Sequence, residues 1–252
     1  MKKKSRWFIM LVFLALGSLS CQWLDRLVLS IDGKETEVWS SSASYGIDSQ
    51  QIMQALERGE TNIFTYIGDE FGEYDPEAFS FAPVEWKQED YMDVAQVFFT
   101  SIRDESMSNW SVERVNFHQT CEEAPWGPQA MYFHLFKVTQ TEKKYESRFE
   151  MGFSLAARDH RVEFLEWEMY PNLGTGSSID LAEIKIPAED VLRIVEDYQG
   201  KEARLVVQNV CNIDITINAG QYDDNWQVTY TGYHGDLLVA LIVDSKTGEI
   251  VK

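Results

Sequence analysis

Two stretches of this chain carry an apolar stripe on one helical face only, and such a stripe must be covered by another layer of the fold. Tyr91, Val94, Ala95, Phe98 and Ile102 recur at helical spacing, with Glu89 and Asp90 at the positive N-terminal end. Val191, Ile194, Val195 and Tyr198 form the second stripe, with Pro187 at the start, Glu189 and Asp190 in the first turn and Gly200 at the stop. Alternating segments follow each helix. Tyr145, Phe149, Met151, Phe153 and Leu155 alternate with Glu146, Arg148, Glu150 and Ser154, one wet face against one dry face. Val162 and Phe164 then change phase to Leu165, Trp167 and Met169, as a bulge requires. After the second helix, Leu205, Val207, Cys211, Ile213, Ile215 and Ile217 form the dry phase, and further strands are expected at Trp226–Tyr230 and Leu237–Val243. The expected fold class is α+β: two helix-plus-antiparallel-sheet units, over 84–172 and 180–252.

A smaller element, 24–83, precedes them. Leu27–Ile31, the Asp32-Gly33 turn and Glu35–Trp39 predict a β-hairpin. Asp48 and Gln51, with Ile47 and Ile52, predict a capping box and hydrophobic staple for a short helix that Gly59 ends. The segment 68–83, rich in acidic, aromatic and Gly/Pro residues, predicts a loop.

The N-terminus is built differently. Lys2, Lys3, Lys4 and Arg6 precede an uncharged run from Trp7 to Leu19, and small residues lead to Cys21. This resembles the bacterial lipoprotein signal, which implies lipidation of Cys21 as the mature N-terminus; Ser18 stands where that signal usually has leucine. An uncleaved anchor and an ordinary secreted protein are the alternatives, and each places the folded part outside the cytoplasm. The resemblance implies an address on the extracytoplasmic face of a bacterial envelope, membrane-bound through the lipid anchor. Two acyl chains hold a protein stably where one does not. Removing 1–20 takes the formal net charge from −19 to about −23, a field that repels nucleic acid and anionic headgroups. With 44% hydrophobic and 13% aromatic residues, the remainder is too apolar to stay disordered.

Two cysteines remain, Cys121 and Cys211, and the implied compartment permits a disulfide between them. Arg114 to Cys121 and Arg204 to Cys211 share one spacing, which reads as an internal duplication whose matching strands bring the thiols together. Two buried free thiols are the alternative.

The C-terminal unit resembles a PepSY domain. The residues that carry the likeness are Ile186-Pro-Ala-Glu-Asp-Val-Leu-Arg-Ile-Val195, then Trp226-Gln-Val-Thr-Tyr230, then Leu241-Ile-Val-Asp-Ser-Lys-Thr-Gly-Glu-Ile250. Pro187 replaces the hydroxyl-bearing residue often found at that helix start. Gly248 supplies a positive backbone angle at a tight turn, and Asp244 accepts from its amides. The resemblance implies a PepSY/cystatin-like layout and a non-catalytic binding or regulatory module that modulates a peptidase or binds a peptide. The family has no catalytic residues to carry over and implies no cofactor.

The chemistry-bearing residues agree with that expectation. His118, His134, His160 and His234 are dispersed, with no His-Glu-x-x-His, and neither Gly-x-Ser-x-Gly nor a phosphate-binding glycine loop occurs. His118 and His134 face each other if their strands pair, and are expected to be structural or solvent-facing. Asp69–Asp75 departs from the calcium-loop pattern and reads as a solvated loop; Asp223-Asp224-Asn225 reads as a hairpin turn. No metal site is expected. The alternative to a binding module is an acidic structural or divalent-ion-binding surface protein.

Overall fold

The computed structural model describes residues 36–60, 86–103, 105–124, 126–140, 146–156, 161–170 and 176–251. Cys21 and its signal, the Asp32-Gly33 turn, the loop 68–83, Tyr145, His160 and the side chain of Ile102 lie outside the described residues. The elements run β1 (Thr36–Gly46), α1 (Ser49–Glu57), α2 (Gln88–Arg103), β2 (Ser111–Thr120), β3 (Ala130–Gln140), β4 (Glu146–Ala156) and β5 (Arg161–Tyr170). They continue with α3 (Ala188–Val195), a π-helical turn (Glu196–Gly200), α4 (Lys201–Val206), β6 (Cys211–Asn218), β7 (Trp226–Gly232) and β8 (Leu237–Val243).

Both stripes form helices, but the expected pair of helix-plus-sheet units does not exist. All eight strands join one sheet in the order β1-β5-β4-β3-β2-β6-β7-β8. The seam lies between β2 and β6, which pair antiparallel from Arg114 opposite Asn218 to Thr120 opposite Asn212. Had the halves closed separately, each would have left its first strand as an edge of unpaired N–H and C=O groups; pairing the two strands satisfies both edges. β1, expected in a separate small element, instead joins the same sheet beside β5.

By backbone packing the chain falls into two compact units. The described parts of the smaller one are 36–41, 137–140, 146–150 and 166–170. Within it, Trp39 Nε1 donates to Glu168 Oε2 at 3.0 Å and Arg148 pairs with Glu150 at 2.9 Å. That indole partner lets Glu168 be buried, so β5 keeps one phase instead of changing it: Val162, Phe164 and Glu168 are buried, and Leu165 is 49% exposed.

The larger unit holds the main core. Tyr91 and Phe98 of α2 meet Phe117 of β2 and Phe153 of β4 with ring centroids 5.9 and 6.5 Å apart. Phe117 also approaches Trp226 of β7 at 6.4 Å, so α2 and α3 shelter the same sheet face. Their N-termini meet there. Gln88 Oε1 accepts from the Ala188 N–H at 2.7 Å, and Glu189 Oε2 accepts from the Gln88 N–H at 3.3 Å, each helix capping the other. Burial raises the Glu189 pKa above the usual carboxylate value, opposed by hydrogen bonds from its own backbone N–H and that of Gln88.

Helix α1 starts at the expected cap, with the Gln51 N–H donating to Asp48 Oδ1 at 2.9 Å and Ile47 and Ile52 fully buried, but the Gln51 side chain donates to Asp48 Oδ2 at 2.8 Å, where a capping box would turn it to the Asp48 backbone. The second helix does not stop at Gly200. It passes through the π-helical turn and continues to Val206. The extra residue of that turn rotates the phase, so Glu196 is buried while Tyr198, expected on the buried stripe, is exposed. Leu205 and Val207, expected in a strand, therefore precede it. Gln208 and Asn209, both with left-handed φ, turn the chain into β6.

Cys121, just past β2, and Cys211, at the start of β6, lie across the seam and form a disulfide with a Cα–Cα distance of 5.2 Å. The cross-link spans 90 residues of sequence. Replacing both cysteines by alanine is expected to cost about 4 kcal/mol in guanidinium denaturation with the far-UV spectrum unchanged. Two titratable thiols in the folded, unreduced protein would contradict the cross-link.

Candidate binding surfaces

The antiparallel seam decides which side chains meet on the sheet face away from α2 and α3. His118 stands opposite Asp214, and Asn116 opposite Thr216. His118 Nδ1 lies 3.0 Å from Asp214 Oδ1, and Asn116 Nδ2 donates to Thr216 Oγ1 at 2.5 Å and to Asp214 Oδ1 at 3.4 Å. The hydrogen bond to Asp214 raises the His118 pKa above 6.5, its charge adds to that, and partial burial works against both. β2 and β3 do pair, but the histidines do not face each other. His134 is opposite Arg114 and His118 is opposite Ala130, and His134 Nδ1 lies 3.0 Å from Glu113 Oε2. His234 is exposed in the β7–β8 turn against Tyr233.

Arg114 and Arg204 are not equivalent, which removes the duplication argument built on their spacing. Arg114 is an exposed strand residue of β2. Arg204 belongs to α4, where its Nε donates to Glu196 Oε2 at 2.8 Å and a terminal nitrogen to Asn209 Oδ1 at 2.9 Å. The other Glu196 oxygen accepts from the Tyr230 hydroxyl at 2.7 Å. Burial first, then this hydrogen bond, pushes the Tyr230 pKa up, so the phenol stays a donor. Gly200 makes the arrangement fit: a Cβ there would stand 2.8 Å from Tyr230 Cζ and closer still to its hydroxyl. The glycine read as a stop is a packing residue. Nothing in a one-dimensional pattern separates those two uses.

The turn after β8 follows the sequence closely. Asp244 accepts from the Thr247 and Lys246 amides at 2.7 and 2.9 Å, which lower its pKa, and Gly248 takes a φ of +76°. Tyr222–Asp224 forms a single 3-10 turn before β7, as the hairpin reading required.

A groove of about 540 Å³ runs between α2, the Met107–Trp110 turn and the 178–182 segment. Met107, Trp110, Val112 and Ile179 are buried in its lining, which they share with the polar Gln96, Ser108, Ser111, Ser178 and Asp180. Ile179 is held by a bridge to Val112, its N–H donating at 2.7 Å. Sequence reading missed this feature because its walls come from segments far apart in the chain. Of the sequence-derived site residues, the fold joins Cys121 to Cys211; Cys21 lies outside the described residues.

No protein-family profile matches the chain, and no curated protein matches it. Among solved structures, it is similar to a MaoC-like dehydratase from Phytophthora capsici at 12% identity, covering 85% of this chain and 92% of that one with a TM-score of 0.20. It is also similar to the dehydratase domain from the CurF module of curacin polyketide synthase at 11% identity, covering 66% and 84%, with a TM-score of 0.12. Superpositions this loose carry no argument about fold or activity.

Gly200→Ala should cost about 2 kcal/mol by overpacking, and Tyr230→Phe about 1 to 2 kcal/mol by leaving a Glu196 oxygen short of a donor. Urea denaturation reads both, and an unchanged Gly200→Ala variant contradicts the close packing. For His118 the folded pKa is raised, so its stabilisation is complete below the unfolded value and is lost as pH rises through the folded one. The stability difference from His118→Gln should therefore be largest near pH 5.5 and shrink above neutrality, staying under about 1 kcal/mol for so open a pair. An imidazole titrating below 6.5 by NMR would overturn this.

Proposed function

We propose that the protein is an extracytoplasmic lipoprotein, anchored to the bacterial envelope through Cys21, that acts as a non-catalytic binding or regulatory module for a protein or peptide. The observation that carries the reading is the Cys121–Cys211 disulfide. Structural disulfides persist in oxidising compartments, and this one supports the export that the N-terminal sequence implies. The PepSY-like residues supply the class of function. They build α3, β7, β8 and the Asp244–Gly248 turn, and the Met- and Trp-lined groove offers a surface for an apolar side chain.

Anchoring is tested with the full chain in a bacterial host fed an alkyne-bearing fatty acid. The protein should take up the label and sediment with membranes, and Cys21→Ala should lose the label and shift to the soluble fraction. Equal labelling of both forms, or a wild-type chain without label, rejects the lipoprotein reading.

A further inference from the structure

β8 reads Leu-Leu-Val-Ala-Leu-Ile-Val from Leu237 to Val243, with no charge and no proline, and it is the last strand of the sheet. Edges are usually blunted with lysine or proline, because their open backbone groups recruit further strands. Part of this edge is already extended by the chain itself: Val243 bridges Ile250, and the Val251 N–H donates to the Ile242 carbonyl at 2.8 Å. Among the described residues, Leu237–Leu241 has a strand partner only in β7.

The side of that open edge is apolar. Helix α4 packs against β8, yet Val206 on α4 is 83% exposed and Leu205 is 54% exposed. Leu237 is 64% exposed at the strand start, where Leu238 is an extra residue relative to β7. Strand-addition sites combine an open edge with apolar pockets that take alternate side chains of the incoming peptide.

Charge selects the occupant. Asp236 and Asp244 flank the strand, Glu249 lies exposed beyond it, and the hydrogen bonds at Asp244 hold its carboxyl ionised. On α4, Arg204 is neutralised by Glu196, and Glu202 offsets Lys201. A second copy would bring its own net −19 to a contact one short strand long. We propose that the Leu237–Leu241 edge, with Leu205 and Val206 as its side wall, binds an extended peptide segment that is apolar in the middle and bears Lys or Arg at its ends. This rests on the binding-module reading and names its partner chemistry.

The test uses the full chain in non-ionic detergent and three fluorescent peptides: Lys-Lys-Val-Thr-Val-Thr-Val-Lys-Lys, the same core with Glu ends, and the Lys-ended peptide N-methylated at all five core residues, which blocks both of its edges. At low ionic strength the Lys-ended peptide should bind about tenfold tighter than the Glu-ended one, and N-methylation should abolish binding. Amide exchange should slow at 237–241. Val206→Ser, at a position too exposed to affect folding, should weaken binding roughly fivefold with an unchanged melting temperature.

No binding, equal binding of the Lys- and Glu-ended peptides, retained binding after N-methylation, or protection confined to other segments overturns the proposal. So does a concentration-dependent dimer whose 237–241 amides are protected without peptide, because the edge then serves self-pairing. Fatty-acid labelling of Cys21 reads the anchor independently of the peptide. A labelled protein that ignores the peptides sinks the edge proposal alone, and an unlabelled one that binds them sinks the anchor alone.

Discussion

The antiparallel pairing of β2 with β6 is the interaction on which the rest of the larger unit depends. It turns the first strand of each half from an edge into the middle of a sheet, and it places Phe117 within reach of both Tyr91 and Trp226. Because the strands run in opposite directions, the chain leaving β2 meets the chain entering β6, where Cys121 and Cys211 are joined. The bond therefore acts on the register itself. A slip by one residue would move Ile213, Ile215 and Ile217 from the core to the opposite face.

The same pairing organises the surfaces. The sheltered face takes α2 and α3, whose first turns cap one another through Gln88 and Glu189. The opposite face brings together Asn116, His118, Asp214 and Thr216, the first and last of them buried, residues from two halves of the sequence that have no local reason to meet. At the far side, β8 is left as an edge that the chain's own C-terminal residues cover only in part.

Local chemistry was the more legible part. Asp48 and Gln51 cap α1, Pro187 stands at the entry to α3, and Asp244 with Gly248 shapes the final turn, each through contacts within a few residues. The apolar spacing at Tyr91–Phe98 and Val191–Val195 gave two true helices. Where a distant partner intervened, the pattern misled. Glu168 reads as a wet-face residue until Trp39 supplies its donor, and Gly200 reads as a helix stop until Tyr230 and Glu196 fill the space beside it. In β2 the bulge between Val112 and Arg114 breaks the alternation that would mark the strand.

By itself, the sequence determined the two amphipathic helices, the short-range caps and turns, the acidic charge and a pair of cysteines able to cross-link, because each depends on residue type and near-neighbour geometry. Only the tertiary structure decided that the halves share one sheet, that Arg114 and Arg204 are unrelated in position, and that His118 answers to Asp214. Strand partnership is settled by satisfying edge hydrogen bonds and burying facing side chains at large sequence separation. Periodicity along one segment carries no record of which other segment will lie beside it.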